Sequence, residues 1–254
     1  MEVIFLGVGE AFDEEIPNTS ILVHTNAGKE RITLLLDCGY SVPPQFWKQK
    51  LSPDDLDGIW ISHFHGDHTL GLPALLVRFW EEGRNKPLTI MGQKGIEVYF
   101  HRLIDIAYTG FEDRLKFPIN FIELEPNTKP EIFGLILSTA MNDHSRRDLA
   151  LKIRDSEKAV YYSGDGGPTR EGLILAEGCD LMIQESFHPD VEIPGHATAK
   201  EAIDVAIQSS VSNLALVHIE RGFRKQVIEL TNKRDDIPES LNVFVPEPGD
   251  RIVL

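Results

Sequence analysis

Three imidazoles and a carboxylate crowd into six residues, His63-Phe64-His65-Gly66-Asp67-His68. No other feature of the chain constrains its folding as strongly. The run follows Ile59-Trp60-Ile61-Ser62, which reads as a buried strand, and precedes a helix read from about Leu72 to Glu82 and stopped at Gly83. The motif therefore belongs on a strand-to-helix loop. Its mix of borderline nitrogen donors with a hard oxygen is one that zinc accepts. His63 and His65, two apart, converge on one ion if the backbone is extended. Asp67 and His68, on the turn into the helix, point to a neighbouring volume and can hold a second ion. The alternative, a solvated polar turn, does not account for three histidines in so short a run.

The surrounding pattern is mixed α/β. Glu2 to Leu6 reads as a strand closed by Gly7-Val8-Gly9. Ile21 to Thr25 and Ile32 to Leu36 read as a hairpin around Asn26-Ala27-Gly28. Ser52-Pro53-Asp54-Asp55 opens a short helix that Gly58 breaks. Leu88 to Met91 is a strand and Gly95 to Ala107 a helix. Strands follow at Asn120 to Leu124 and Ile132 to Ser138, joined by a Pro126 to Pro130 turn. Leu149 to Ile153 and Ala159 to Tyr162 form a further hairpin. Thr169-Arg170-Glu171-Gly172 starts a helix, and Thr198-Ala199-Lys200-Glu201 is a capping box for another, running to about Gln208. Leu214 to Val217 is a strand, and two more close the tail from Asn242. Each half gives strands first and helices after, without strict βαβ alternation. That order predicts one domain over residues 1–254, built as two mixed sheets packed face to face with helices outside.

Composition narrows the function. Forty acidic side chains against 25 basic ones give a formal charge of −15, which argues against a surface coated for nucleic acid. With 42 % hydrophobic residues the chain can bury a core. No run approaches the ~18 apolar residues of a membrane span, and Met1 to Gly9 lacks the form of a signal peptide. The two cysteines, Cys38 and Cys179, leave no room for a disulfide framework or a four-thiolate zinc site. The expectation is a cytoplasmic protein. Gly7-Val8-Gly9 has Phe12 where a dinucleotide loop needs glycine, so that reading fails.

Two ions need more ligands, and His144, Asp165 and His218 lie at or beyond the ends of predicted strands, where side chains gather over a sheet edge. Further motifs accompany the histidine run: Gly71-Leu72-Pro73-Ala74-Leu75-Leu76, Phe5-Leu6-Gly7-Val8-Gly9, Pro17-Asn18-Thr19-Ser20, Leu36-Asp37-Cys38-Gly39, Tyr162-Ser163-Gly164-Asp165 and Gly195-His196-Ala197-Thr198. In this order they resemble the metallo-β-lactamase superfamily, in particular its ribonuclease Z-like branch.

The resemblance implies an αββα sandwich with a two-metal site. His63, His65 and His144 would hold one ion, Asp67, His68 and His218 the other, and Asp165 would bridge them, with a hydroxide between the ions as nucleophile. The ions would be divalent, zinc by preference, with manganese or iron also fitting an aspartate bridge. Asp67 could also steer the attacking water. His196 would face the scissile phosphate and assist the leaving oxygen, and Glu185 would orient it. Dimerisation is a further implication. The function implied is a phosphodiesterase or nuclease acting on a small phosphodiester or RNA. Alternatives are hydrolysis of another ester, lactone or thioester, or a non-catalytic binding member.

The sequence departs from the family pattern in three places. Gly166 stands where a threonine is usual after Gly-Asp, and Tyr40 where a glutamate is frequent. No insert is visible for the basic Gly/Pro-rich arm that grips tRNA. Arg146, Arg147, Arg221, Arg224 and Lys225 are the basic residues expected near the mouth. Cys38 is read as a buried small residue under the site, and Tyr99 and Phe100 as helix core. His24, His101 and His188 fall outside the motifs.

Overall fold

Short β-rich runs joined by tight turns favour hairpins, whereas buried strands separated by helices favour parallel crossovers. The computed structural model of the chain, which describes residues 1–28 and 30–254, contains both, in a repeated plan. Strands β1 (Glu2–Gly7), β2 (Ser20–Ala27) and β3 (Glu30–Leu36) pair antiparallel. β4 (Gly58–Ile61), β5 (Leu88–Gly92) and β6 (Ile119–Glu123) then extend that sheet in parallel. The second sheet starts with β7 (Glu131–Ile132), β8 (Leu135–Met141), β9 (Leu149–Arg154) and β10 (Ala159–Tyr162), all antiparallel to their neighbours. It continues with parallel β11 (Leu181–Glu185), β12 (Asn213–Val217) and β13 (Asn242–Phe244). β14 (Arg251–Val253) returns to β1, so each sheet has seven strands.

The two sheets meet through their inner faces. Val3, Phe5, Leu34 and Trp60 of the first share one buried cluster with Leu137, Leu151, Val160 and Ile183 of the second. Each such side chain contributes roughly 1.5–3 kcal/mol by leaving water. Helices α1 (Val42–Lys48), α2 (Gly66–Thr69), α3 (Leu72–Glu81) and α4 (Ile96–Ala107) belong to the first half. Phe46, Leu76 and Phe100, from α1, α3 and α4, pack on the outward Leu22, Leu35 and Ile59. On the other side α5 (Arg170–Ala176), α6 (Ala199–Gln208) and α7 (Arg224–Lys233) cover Tyr161, Met182 and Leu216. The expected αββα sandwich is the fold. Among the described residues no helix is long and apolar enough to cross a membrane.

Local differences from the sequence reading have physical causes. The strand read over Ile132 to Ser138 is broken by Phe133 (φ 56°) and Gly134 (φ 71°), a two-residue turn that folds β7 onto β8. The helix read from Ser52 is one 3-10 turn, Pro53–Asp55, with Leu56 already extended. The guanidinium of buried Arg84 ties down the carbonyls of Pro53 and Leu56. Helices α1 and α7 were not expected. α1 begins in a proline pair, and α7 has three apolar residues in ten, of which only Val227 is buried. The capping box at Thr198 forms as read, with Thr198 Oγ1 accepting from the Glu201 amide at 3.1 Å and Glu201 Oε2 from the Thr198 amide at 2.9 Å.

Candidate metal centre

Strand ends deliver nearly every polar group of the site to one edge of the sandwich. His63 follows β4, and the extended backbone of His65 (φ −76°, ψ 158°) turns the chain into α2, which carries Asp67 and His68. From the second sheet, His144 lies beyond β8, Asp165 beyond β10 and His218 directly after β12. His218 has a left-handed backbone (φ 54°), held by its amide's hydrogen bond to the Val8 carbonyl at 2.9 Å. A non-glycine residue there costs roughly 1–3 kcal/mol, a strain that clusters at functional sites.

Donor atoms of His63, His65, His144 and Asp165 lie within 4.8 Å of one another, and so do those of Asp67, His68, Asp165 and His218. Asp165 is common to both groups. Together the two groups hold the seven positions named from the sequence.

The outward nitrogens are held by hydrogen bonds on the far side of each ring. His63 Nδ1 lies 2.8 Å from Asp148 Oδ2, His68 Nδ1 2.8 Å from Asp37 Oδ2, and His144 Nδ1 2.7 Å from the Gly195 carbonyl. Carboxylates and carbonyls only accept, so each of these rings carries a proton on Nδ1 and turns Nε2 inward. The Nε2 atoms of His63 and His144 face His65 Nδ1 at 2.9 and 3.3 Å. Burial, followed by the His63 and His144 rings, pushes His65 down to about 4, so it is neutral. Buried His68 Nε2 lies 3.2 Å from both Asp67 Oδ2 and Asp165 Oδ1, so the second group is equally crowded. Ring nitrogens and carboxylates gathered this closely in a protein interior suit a volume that a cation fills. The nitrogen-and-carboxylate set fits divalent metal ions.

Asp37 and Asp148 escaped the sequence reading as site residues. Asp37 (φ 60°) is fully buried at the end of β3. It accepts from the Ser62 amide at 2.8 Å, the Ser62 hydroxyl at 2.8 Å, the Tyr162 hydroxyl at 2.6 Å and His68 Nδ1. Asp148, also fully buried, accepts from the Asp165 amide at 3.2 Å as well as from His63. Burial raises Asp148 above the usual carboxyl range against the pull of His63. Their sequence signal is faint, a single aspartate beside an apolar strand.

His196 belongs to neither group but adjoins both, with its ring centroid 5.3 Å from that of His144 and its donor atom clustered with those of Glu185 and His218. Its Nδ1 is 2.6 Å from Glu185 Oε1, and its ring stacks on Phe187 with centroids 4.5 Å apart. Burial lowers the His196 pKa, but the hydrogen bond and charge of Glu185 outweigh it and raise the value. Glu185 is fully buried at the end of β11, and its Oε1 is also 3.2 Å from His218 Nδ1. Its Oε2 accepts from the amides of Gly166 and Ala197. Gly166 (φ 111°) accounts for the missing threonine, since a Cβ there would lie 2.8 Å from the Asp143 carbonyl oxygen.

A cavity of about 580 Å³ opens over the site, lined among others by Phe12, Tyr40, Leu70 and Phe187. Tyr40, at the departure from the usual glutamate, donates to the Ala11 carbonyl. Of the five basic residues expected at the mouth, only Arg221 lines this cavity, paired with buried Glu10. Arg147 and Arg224 are drawn away by Glu125 and Glu247. Cys38 is fully buried, and burial, then Asp37, pushes its thiol far up, which leaves it inert as expected. His24 pairs with Thr33 and His101 with Glu112, while His188 packs on Phe223 outside the cavity lining.

Comparison with known proteins agrees with this geometry. The chain is 28 % identical to the ribonuclease Z of Thermoplasma volcanium, with 86 % of each covered. It is 27 % identical to that of Methanothermobacter thermautotrophicus, over 94 % of this chain and 92 % of the relative. Among solved structures, the metallo-β-lactamase fold protein YhfI from Bacillus subtilis superposes with a TM-score of 0.79 at 20 % identity, covering 99 % of both chains. The short form of human tRNase Z gives 0.78 at 21 % identity, over 100 % of this chain and 99 % of that one. The fold is that of the metallo-β-lactamases, and the resemblance to the ribonuclease Z-like branch holds. A family profile described as anti-Pycsar protein Apyc1 matches residues 1–233.

Proposed function

The chain belongs to the family of the anti-Pycsar protein Apyc1 and is a metal-dependent hydrolase, and from that premise we propose that it cleaves a small phosphodiester at a two-metal site. The observation that carries this reading is the pair of donor groups sharing Asp165. His63, His65 and His144 would hold one ion, Asp67, His68 and His218 the second, and Asp165 would bridge them. When bound, two such cations supply an activated water and a clamp for the phosphodiester oxygens. Zinc suits the histidine-rich donor set best.

The chain's own groups complete the reaction. Asp67 would orient the attacking water as well as serve as a ligand. Glu185 holds the His196 ring and favours its protonated form, so that its other nitrogen would donate to the leaving oxygen. The Phe187 ring under His196 fixes the plane of that donor.

Size and charge favour a small substrate over tRNA. The connection from β6 to β7 is a short turn after Leu124, and the net charge of −15 opposes a polyanion. Phe12, Tyr40 and Leu70 instead offer the cavity an apolar wall for one substituent.

The test joins elemental analysis of chelator-free protein to turnover on bis-nitrophenyl phosphate, mononitrophenyl phosphate, a thioester, a β-lactam and a precursor tRNA. About two ions per chain and preference for the diester are expected. A monoester binds the ion pair tightly in its ground state, which does not speed turnover. Full activity without metal, or a thioester or β-lactam preferred over the diester, refutes the proposal.

A further inference from the structure

Helices leave part of the second sheet's outer face unroofed. Ile136 of β8 lies opposite Arg154 of β9, and Ser138 opposite Lys152. Alternate residues of a strand share a face, so Lys152 and Arg154 stand side by side on the outside of the sandwich. They floor a cavity of about 320 Å³, which α5 bounds with Glu171 and Ile174 and the β6–β7 connection closes with Lys129. No residue lines both this cavity and the one over the metal centre.

The charge of this cavity is opposite to that of the chain. Three cations and one carboxylate line it, on a protein of net charge −15. Nearby cations are neutralised: Arg147 pairs with Glu125, and Lys158 with Asp180 at 2.8 Å. Lys152 Nζ instead donates to a backbone carbonyl, that of Glu177, at 2.9 Å. Among the described residues, Lys129 and Arg154 have no ion-pair partner. Like charges held next to each other on a sheet face are destabilising, and an anion seated between them removes that repulsion.

We propose that this cavity binds a small phosphate-type dianion carrying an apolar group, a phosphomonoester or phosphonate. Three cations set against one carboxylate match a double negative charge. The planar fork of Arg154 presents paired donors to two oxygens of such a group. Ile136 and Ile174, the latter 57 % exposed, form a surface on which the apolar substituent lies. This inference does not depend on which reaction the metal centre performs.

Calorimetric titration of the metal-loaded protein with phenylphosphonate, which cannot be hydrolysed, tests it, with inorganic phosphate as the parallel arm. Phenylphosphonate should report two classes of site, one at the metal centre and one here, the latter tighter than for inorganic phosphate. Arg154→Met should weaken the second class at least about tenfold, the usual worth of a charge-assisted contact. It should leave the first class and the turnover of bis-nitrophenyl phosphate unchanged. Lys129→Met, a second exposed and unpaired position, should act in the same direction. Binding of phenylphosphonate, in one class or two, that persists unchanged in both variants overturns the proposal, as does no binding at all. Equal affinity for inorganic phosphate overturns the apolar part of it.

Discussion

Replacing Asp37 by asparagine should weaken metal binding more than its distance from the cavity suggests. Asparagine tolerates the left-handed backbone at this position almost as well as aspartate, so the change tests the carboxylate and not the chain path. Oδ2 of Asp37 accepts from the Ser62 hydroxyl, His68 Nδ1 and the Tyr162 hydroxyl, while Oδ1 accepts from the Ser62 amide. An amide has one oxygen, so at best its NH2 group is left facing the Ser62 N–H, and the charge that strengthened the other three contacts is gone. Hydrogen bonds to a charged group are worth roughly 1.5–3 kcal/mol, and an unsatisfied buried donor costs a further ~1–3 kcal/mol. A destabilisation of roughly 3–5 kcal/mol follows for the metal-free protein, measurable by urea unfolding. Loss of an outer partner of a ligating histidine typically lowers metal affinity 10–100-fold. Competition against a chromogenic chelator should show that loss for the ion expected at Asp67, His68 and His218, with the other ion much less affected. If both ions bind Asp37→Asn as tightly as the unaltered protein, Asp37 is only a structural anchor and the orienting argument is wrong.

Three other outcomes can be checked separately. Asp165→Ala should reduce the content of both ions in elemental analysis, because its carboxylate belongs to both donor groups. His196→Ala should keep metal and fold but lose roughly 10²–10⁴-fold in turnover on diesters with poor leaving groups, and much less on bis-nitrophenyl phosphate. Equal losses on both would remove His196 from the proton path. Asp155 is held below the usual carboxylate range despite partial burial, through the Thr25 hydroxyl and the amides of Glu157 and Lys158. A depressed native pKa gives stability that is full above the unfolded value of about 4 and fades as the pH falls through the native one. Asp155→Asn should therefore narrow the gap in urea midpoint between neutral pH and pH below about 4, and an unchanged gap would exclude that role.

What the sequence made legible was what local chemistry encodes. The run from His63 to His68 carries its donors in consecutive order, and the capping box at Thr198 is complete within four residues. Strand ends told where His144, Asp165 and His218 would gather, because apolar runs terminate where the chain leaves the sheet. Asp37 and Asp148 were not legible as site residues, since their meaning lies in rings and hydroxyls brought from distant segments. Tyr162 reaches Asp37 from the other sheet, 125 residues away. Tyr99, read as helix core, stacks flat on Phe64 with centroids 4.3 Å apart, and its hydroxyl lies 2.7 Å from that of Thr69. Such a brace for the histidine loop depends on helix docking, and helical spacing alone is silent about it. α7 escaped because a helix with one buried residue has almost no apolar periodicity to read.

The division of the donors between the two sheets also bears on how the molecule assembles and ages. His63, His65, Asp67 and His68 come from the first half, whereas His144, Asp165 and His218 come from the second. Neither half alone completes either donor group, so tight binding must wait until the sheets have docked. Ions held there would act as rivets across the seam. Their occupancy at a thousandfold excess over Kd would add about 4 kcal/mol per site against unfolding. Chelation would then do more than silence turnover: it would loosen the seam, and newly made chains short of metal would be the ones that proteases cut first.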